Sequence, residues 1–166
     1  MNFRLINYIL VCYFSESKVY ELENSRKEKQ VIFSSVRKST EGLNNVDQGS
    51  IITYTDMIVN LQHGMNPQSG IFCAPISGIY SFSFGATSSI EDSATYIRVY
   101  KNEEWMFTIA QFTESTDQAN YYTNIADNWT FSLKKGDTVY LKMRCNGLYV
   151  SVHHNVHFNG QLLIPE

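Results

Sequence analysis

The chain lacks nearly every feature that marks an enzyme, a membrane protein or a nucleic-acid binder. Its 166 residues include three prolines, three cysteines, two tryptophans and 17% charged residues. Lys and Arg number 13 against 16 Asp and Glu, and from residue 31 onward the balance is 8 against 12, a net of −4. That balance gives no basic footprint for nucleic acid. No apolar stretch approaches the roughly 20 residues that a helical membrane span requires. No Gly-X-Y repeat is present to build a collagen stalk, and no heptads with apolar a and d positions to build a coiled coil. Ser, Cys and His occur outside any Gly-x-Ser-x-Gly or comparable setting, so no catalytic residue is expected and no cofactor is required.

The targeting signal is short. Arg4 precedes an apolar run from Leu5 to Phe14, and Ser15 and Ser17 then stand in a small-x-small arrangement. Residues 1–17 read as a secretory signal peptide cleaved near Ser17, which places the chain outside the cell. Residues 18–30 (KVYELENSRKEKQ) are highly charged, with Val19 and Leu22 giving one turn of helical spacing that nothing continues. They read as a solvated linker or short neck. Cys12 leaves with the leader, so Cys73 and Cys145 remain. A disulfide between them and two buried free thiols fit a secreted chain equally well.

What is abundant is sheet-forming. The chain is 43% hydrophobic, and Tyr and Phe supply 21 of its 23 aromatic residues. Between Gly78 and Phe84 the alternation is strict, with Tyr80, Phe82 and Phe84 on one face and Ile79, Ser81 and Ser83 on the other. A period of two with aromatics on one side is a strand with one buried face. Pro75 and Gly78 mark a bend between this strand and a shorter one at Phe72. Further strands are predicted over 31–36, 51–60, 95–101, 105–110, 121–133, 139–144 and 156–164. Asn102-Glu103-Glu104 reads as a tight hairpin, and Lys134-Lys135-Gly136-Asp137 as a turn. Eight or more short strands without a convincing helix indicate an all-β antiparallel sandwich or barrel. The apolar first and last strands are expected near each other in the core of a jelly roll.

In this order the residues resemble the globular head of the complement C1q family, whose fold is shared with the tumour necrosis factor ligands. Asn60, Phe72, Gly78, Tyr80, Phe82 and Phe84 stand in register with the family's central pattern. Tyr54 replaces a usual Phe, and Met65 a usual aromatic or Leu. Phe33-Ser34-Ser35-Val36-Arg37 is similar to the family's first strand. Leu133 to Leu141, with Gly136-Asp137 inside it, is similar to its Leu-x-x-Gly-Asp-x-Val-Trp-Leu segment, with Tyr140 in place of the Trp. Phe158-Asn159-Gly160-Gln161-Leu162 is similar to its closing Phe-x-Gly-x-Leu. The resemblance covers Val31 to Glu166. It implies a ten-stranded jelly roll that assembles as a trimer, a homotrimer by expectation. It also assigns the motif residues to the core and corners rather than to a ligand site.

Candidate sites lie elsewhere. Some family members hold calcium between two Asp of the segment corresponding to 107–119. Asp117 matches the second, whereas the first falls near Ala110, which has no carboxylate, so Asp117 alone stands as a calcium candidate. Asn128-Trp129-Thr130 is an N-glycosylation sequon. Ligand loops are expected at 91–93, 113–120 and 147–154. There Tyr149, with His153 and His154, is placed to stack on a sugar ring or a partner side chain, or else Tyr149 packs down within its own loop. His153-His154-x-x-His157 has helical metal spacing in a stretch that reads as loop, which favours a solvated loop. The function expected is a secreted, lectin-like recognition module of innate immunity that binds microbial or glycan surfaces. The alternative is a secreted trimeric signalling or adhesion ligand for a cell-surface receptor.

Overall fold

The computed structural model describes residues 3–38, 49–89, 94–112, 122–144, 148–149 and 156–166. They fall into two compact units, Met1–Gln30 and Val31–Glu166.

The first unit is one helix, α1 (Phe3–Glu28), which runs through both the leader-like run and the charged stretch. The charged stretch expected as a solvated linker or short neck is helical as far as Glu28. Apolar periodicity reports helices that pack, whereas an exposed helix needs only propensity. Glu, Lys, Arg and Leu dominate 18–28. Glu23 and Lys27 are spaced i,i+4 in the favourable order, and Arg26 and Lys27 in the last turn suit the helix dipole. Val19, Tyr20 and Leu22 are exposed on it. Among the described residues no helix is long and apolar enough to cross a membrane.

The second unit is a sandwich of two antiparallel sheets. Its strands are β1 (Ile32–Arg37), β2 (Asp56–Leu61), β3 (Met65–Asn66), β4 (Ile71–Cys73), β5 (Gly78–Ser89), β6 (Ala94–Lys101), β7 (Glu104–Phe112), β8 (Tyr122–Leu133), β9 (Thr138–Met143), β10 (Leu148–Tyr149) and β11 (Val156–Pro165). The first sheet runs β2-β1-β11-β5-β8, with β10 continuing the line of β11 along β5. The second runs β3-β4-β9-β6-β7. The chain changes sheet between β5 and β6, returns between β7 and β8, and crosses again on either side of β9, which is jelly-roll topology. β1 and β11, the first and last strands, are partners. Eleven strands appear among the described residues, of which β3 and β10 are only two residues long.

The expected strand over 51–60 is divided between the sheets. Ile52 donates its N–H to the Leu141 carbonyl at 2.9 Å, beside β9, whereas Asp56 to Leu61 pair with β1. Ile52 and Tyr54 point into the core, but in β2 the phase of the alternation reverses, with Met57 packed against the core and Ile58 exposed. One strand of unbroken period across 51–60 is therefore corrected to two segments that change both hydrogen-bonding partner and phase.

Aromatic rings lock the layers together. Phe33, Phe82 and Phe158 come from the first sheet and Phe72 from the second. Phe33 lies 5.0 Å from both Phe72 and Phe158, and Phe82 lies 5.5 Å from Phe72. Trp129 and Tyr80 extend the cluster. Fully burying each such side chain contributes about 1.5–3 kcal/mol.

Candidate functional site

The two ends of the sandwich differ. At one end the turns are tied to one another. Gly136 donates to the Ala74 carbonyl at 2.8 Å, and Ala74 donates to that of Asp137 at the same distance. The Asp137 carboxylate accepts from the Asn102 amide and from the Lys134 N–H, each at 2.9 Å, with Lys101 Nζ 3.5 Å away. These partners, the Asn102 amide foremost, hold the Asp137 carboxyl below the usual carboxylate range. Asn102 and Glu103 form the hairpin turn with φ of 48° and 70°, and Asn102 also accepts the Thr138 N–H. Gly136 has φ of 93°, open to glycine without strain.

At the other end the strand ends converge. Ser89 pairs with Tyr122, Ala94 with Phe112 and Ile97 with Met143, while Arg37 pairs with Val156 and Gly49 donates to Met143. All the ligand loops expected from the sequence connect strand ends gathered here. Of the residues singled out in them, Asp117, His153 and His154 lie outside the described residues. Tyr149 lies on β10 opposite Thr87. His157 is half-buried on β11, in strand rather than helix. Ala110 is exposed on β7. Cys73 carries a free, exposed thiol, so neither a bridge nor a buried thiol describes it, and Cys145 lies outside the described residues.

Two rows on the outward face of the first sheet carry no charge across five strands. One row runs Leu61, Ile32, Gln161, Ser81, Thr130; the next runs Val59, Ser34, Asn159, Ser83, Asn128. The Ser34 hydroxyl donates to Asn159 Oδ1 at 2.7 Å, and the Asn159 amide donates to the Ser83 hydroxyl at 3.2 Å. These small side chains line a groove of about 500 Å³. Asn128 and Thr130 of the sequon are both exposed at the β8 side of this face, while Trp129 between them points into the core.

The outward face of the second sheet is the opposite in character. Tyr100 and Tyr140 stack across β6 and β9, with centroids 5.2 Å apart and planes 2° from parallel. Lys142 Nζ lies 5.1 Å from the Tyr100 ring and 5.6 Å from the Tyr140 ring, and the Arg98 guanidinium lies 5.0 Å over Trp105. Burial pushes the Tyr140 hydroxyl above its ordinary pKa, with Glu103 adding to the effect. Alternation alone puts Tyr96, Arg98 and Tyr100 on this face and Lys142 and Arg144 in water. Their assembly depends on the β6–β9 register, which no local pattern carries.

The motif residues occupy the core and corners. Phe33, Phe72, Tyr80, Phe82, Phe84 and Phe158 are buried. Asn60 closes the turn after β2, its amide donating to the Met65 carbonyl at 2.8 Å and its Oδ1 accepting the Met65 N–H at 3.2 Å. A Cβ on Gly78 would lie 2.7 Å from the Leu162 side chain, and one on Gly160 would meet Phe33 and Phe82.

A family model described as "C1q domain" matches residues 32–163. Over 120 residues the chain is 28% identical to the mouse collagen alpha-1(X) chain, an overlap covering 70% of this chain and 17% of that protein. Over 117 residues it is 26% identical to mouse complement C1q tumor necrosis factor-related protein 3, covering 70% of this chain and 46% of that protein. It thus spans less than half the length of either relative. Among solved structures, the globular domain of zebrafish complement 1qA protein is similar at a TM-score of 0.65 and 18% identity, covering 82% of this chain and 99% of the other. The Eiger TNF of S. frugiperda is similar at 0.62 and 13%, covering 83% and 95%.

Proposed function

The chain belongs to the C1q-domain family, and from that premise we propose that it is a secreted, non-catalytic recognition module that works as a homotrimer and binds glycan or microbial surfaces in innate immunity. The observation that carries this reading is the gathering at one end of the strand ends that hold all the expected ligand loops, opposite the end tied by Asp137. A rigid sandwich with its connections presented together at one end is suited to carrying variable binding loops. The uncharged rows across β2, β1, β11, β5 and β8 support self-association. Small hydroxyl and amide side chains allow close approach, and docking there desolvates no charge. Three copies packed on that face present their loops together and gain avidity without new contacts.

A second reading, a secreted trimeric signalling or adhesion ligand for a cell-surface receptor, is favoured by the similarity to complement C1q tumor necrosis factor-related protein 3 and by the fold shared with a TNF. Glycan-array and bacterial-binding assays separate the two. Saturable binding to sugars or bacteria is expected. Saturable binding to cells with no carbohydrate binding would overturn the first reading in favour of the second.

A further inference from the structure

Arg98 and Lys142 are registered partners on β6 and β9, two cations directly opposite each other. Like charges in that position oppose sheet formation, so folding alone does not account for the pair. Arg144 follows on the same side, its N–H donating to Tyr96 at 2.9 Å. Among the described residues none of these three cations has a carboxylate partner, whereas Lys101 pairs with Asp137.

Aromatic rings hold the pair instead, Tyr100 and Tyr140 for Lys142 and Trp105 for Arg98. A ring face attracts a cation without cancelling its charge or occupying its N–H donors. It also restrains a long, flexible side chain, so less rotamer freedom remains to be lost on binding. Trp105 is 53% exposed beside them, with apolar surface in contact with water.

We propose that this face of the second sheet binds an anionic polysaccharide, with sulfate or carboxylate groups on Arg98, Lys142 and Arg144 and a sugar ring against Trp105. The site is distinct from the loop end and from the self-association face, and it rests on the glycan-recognition reading for the class of its partner. The chain's net charge of −3 disfavours a polyanion on the surface as a whole, so binding needs a local cluster of cations such as this one. Three cations neutralise few phosphates, which places nucleic acid second.

The test is binding of the full chain to heparin, with N- and O-desulfated heparin and a DNA duplex as comparison probes. The unaltered chain is expected to bind heparin, to lose affinity as salt rises and to bind the desulfated polymer weakly. The double substitution R98Q/K142Q is expected to weaken heparin binding by at least about tenfold, and W105A by several-fold. K134Q/K135Q, which removes the same charge from the far turn, is expected to bind as the unaltered chain does. Matching thermal melts show that the variants are folded. Heparin binding that survives R98Q/K142Q, falls equally in K134Q/K135Q or is exceeded by duplex DNA overturns the proposal. Neutral-glycan and bacterial binding measured on R98Q/K142Q keeps the two readings apart. Its persistence while heparin binding stays unchanged sinks this inference alone, whereas absence of all carbohydrate binding in the unaltered chain sinks the recognition reading itself.

Discussion

Gly160 and Phe33 are registered partners on β11 and β1, and the Phe33 ring fills the space where a side chain on residue 160 would stand. A Cβ there would also lie 2.8 Å from Phe82 Cδ1. Both rings belong to the cluster that joins the sheets, so neither can move away freely. Gly160→Ala is expected to destabilise the sandwich by about 2–3 kcal/mol through overpacking. Urea unfolding of the two chains measures this; an unchanged midpoint would show that the rings yield.

Tyr54 carries a defect of the opposite kind. It is buried against Phe158, and its hydroxyl finds no hydrogen-bond partner among the described residues. Burial raises its pKa well above 10, only partly offset by Arg37. Tyr54→Phe removes the unsatisfied group and keeps the ring, so it is expected to raise stability by about 1–2 kcal/mol in denaturant unfolding. A loss of stability would show that the hydroxyl is satisfied.

Asp137 makes stability depend on acid. Its folded pKa lies below the ordinary value of 3.8, chiefly through the Asn102 amide and then the Lys134 N–H. The contribution is therefore fully present above about pH 4 and is lost as pH falls through the lower folded value. Melting temperatures from about pH 6 down to about pH 2 should fall in the unaltered chain. Asp137→Asn should start lower and fall less over the same range. Parallel curves would contradict this assignment.

What was legible in the sequence was whatever a strand states locally. Tyr80, Phe82 and Phe84 alternate with serines, and Val139, Leu141 and Met143 with more polar neighbours. All six lie inside the sandwich. Tyr140 breaks the same pattern. It sits on the outward side and is nevertheless buried, because Tyr100, forty residues away, stacks on it. Such cover comes from a neighbouring strand and leaves no trace in the alternation of its own. The exchange of partner between Ile52 and Asp56 was hidden for the same reason, and α1 because exposed helices need no apolar stripe.

Asn128 links glycosylation to assembly. Asn128 and Thr130 both project from the uncharged rows proposed for self-association. A glycan on Asn128 would stand in the groove that a neighbouring copy would fill. In material from a secretory eukaryotic host, trimers are expected to be unmodified at Asn128, and any glycosylated chain is expected to run as monomer. Glycosidase treatment of size-separated fractions reads this directly. Glycosylated trimers would move the interface to another face.

Recognition through three loop ends presented together requires a trimer. Light scattering coupled to gel filtration measures the mass of the purified chain in solution without reference to shape. Three chain masses are expected at micromolar concentration, with Ser34→Arg and Ser83→Arg, which place charge in the uncharged rows, giving folded monomers. A unaltered chain that remains monomeric throughout would contradict the claim.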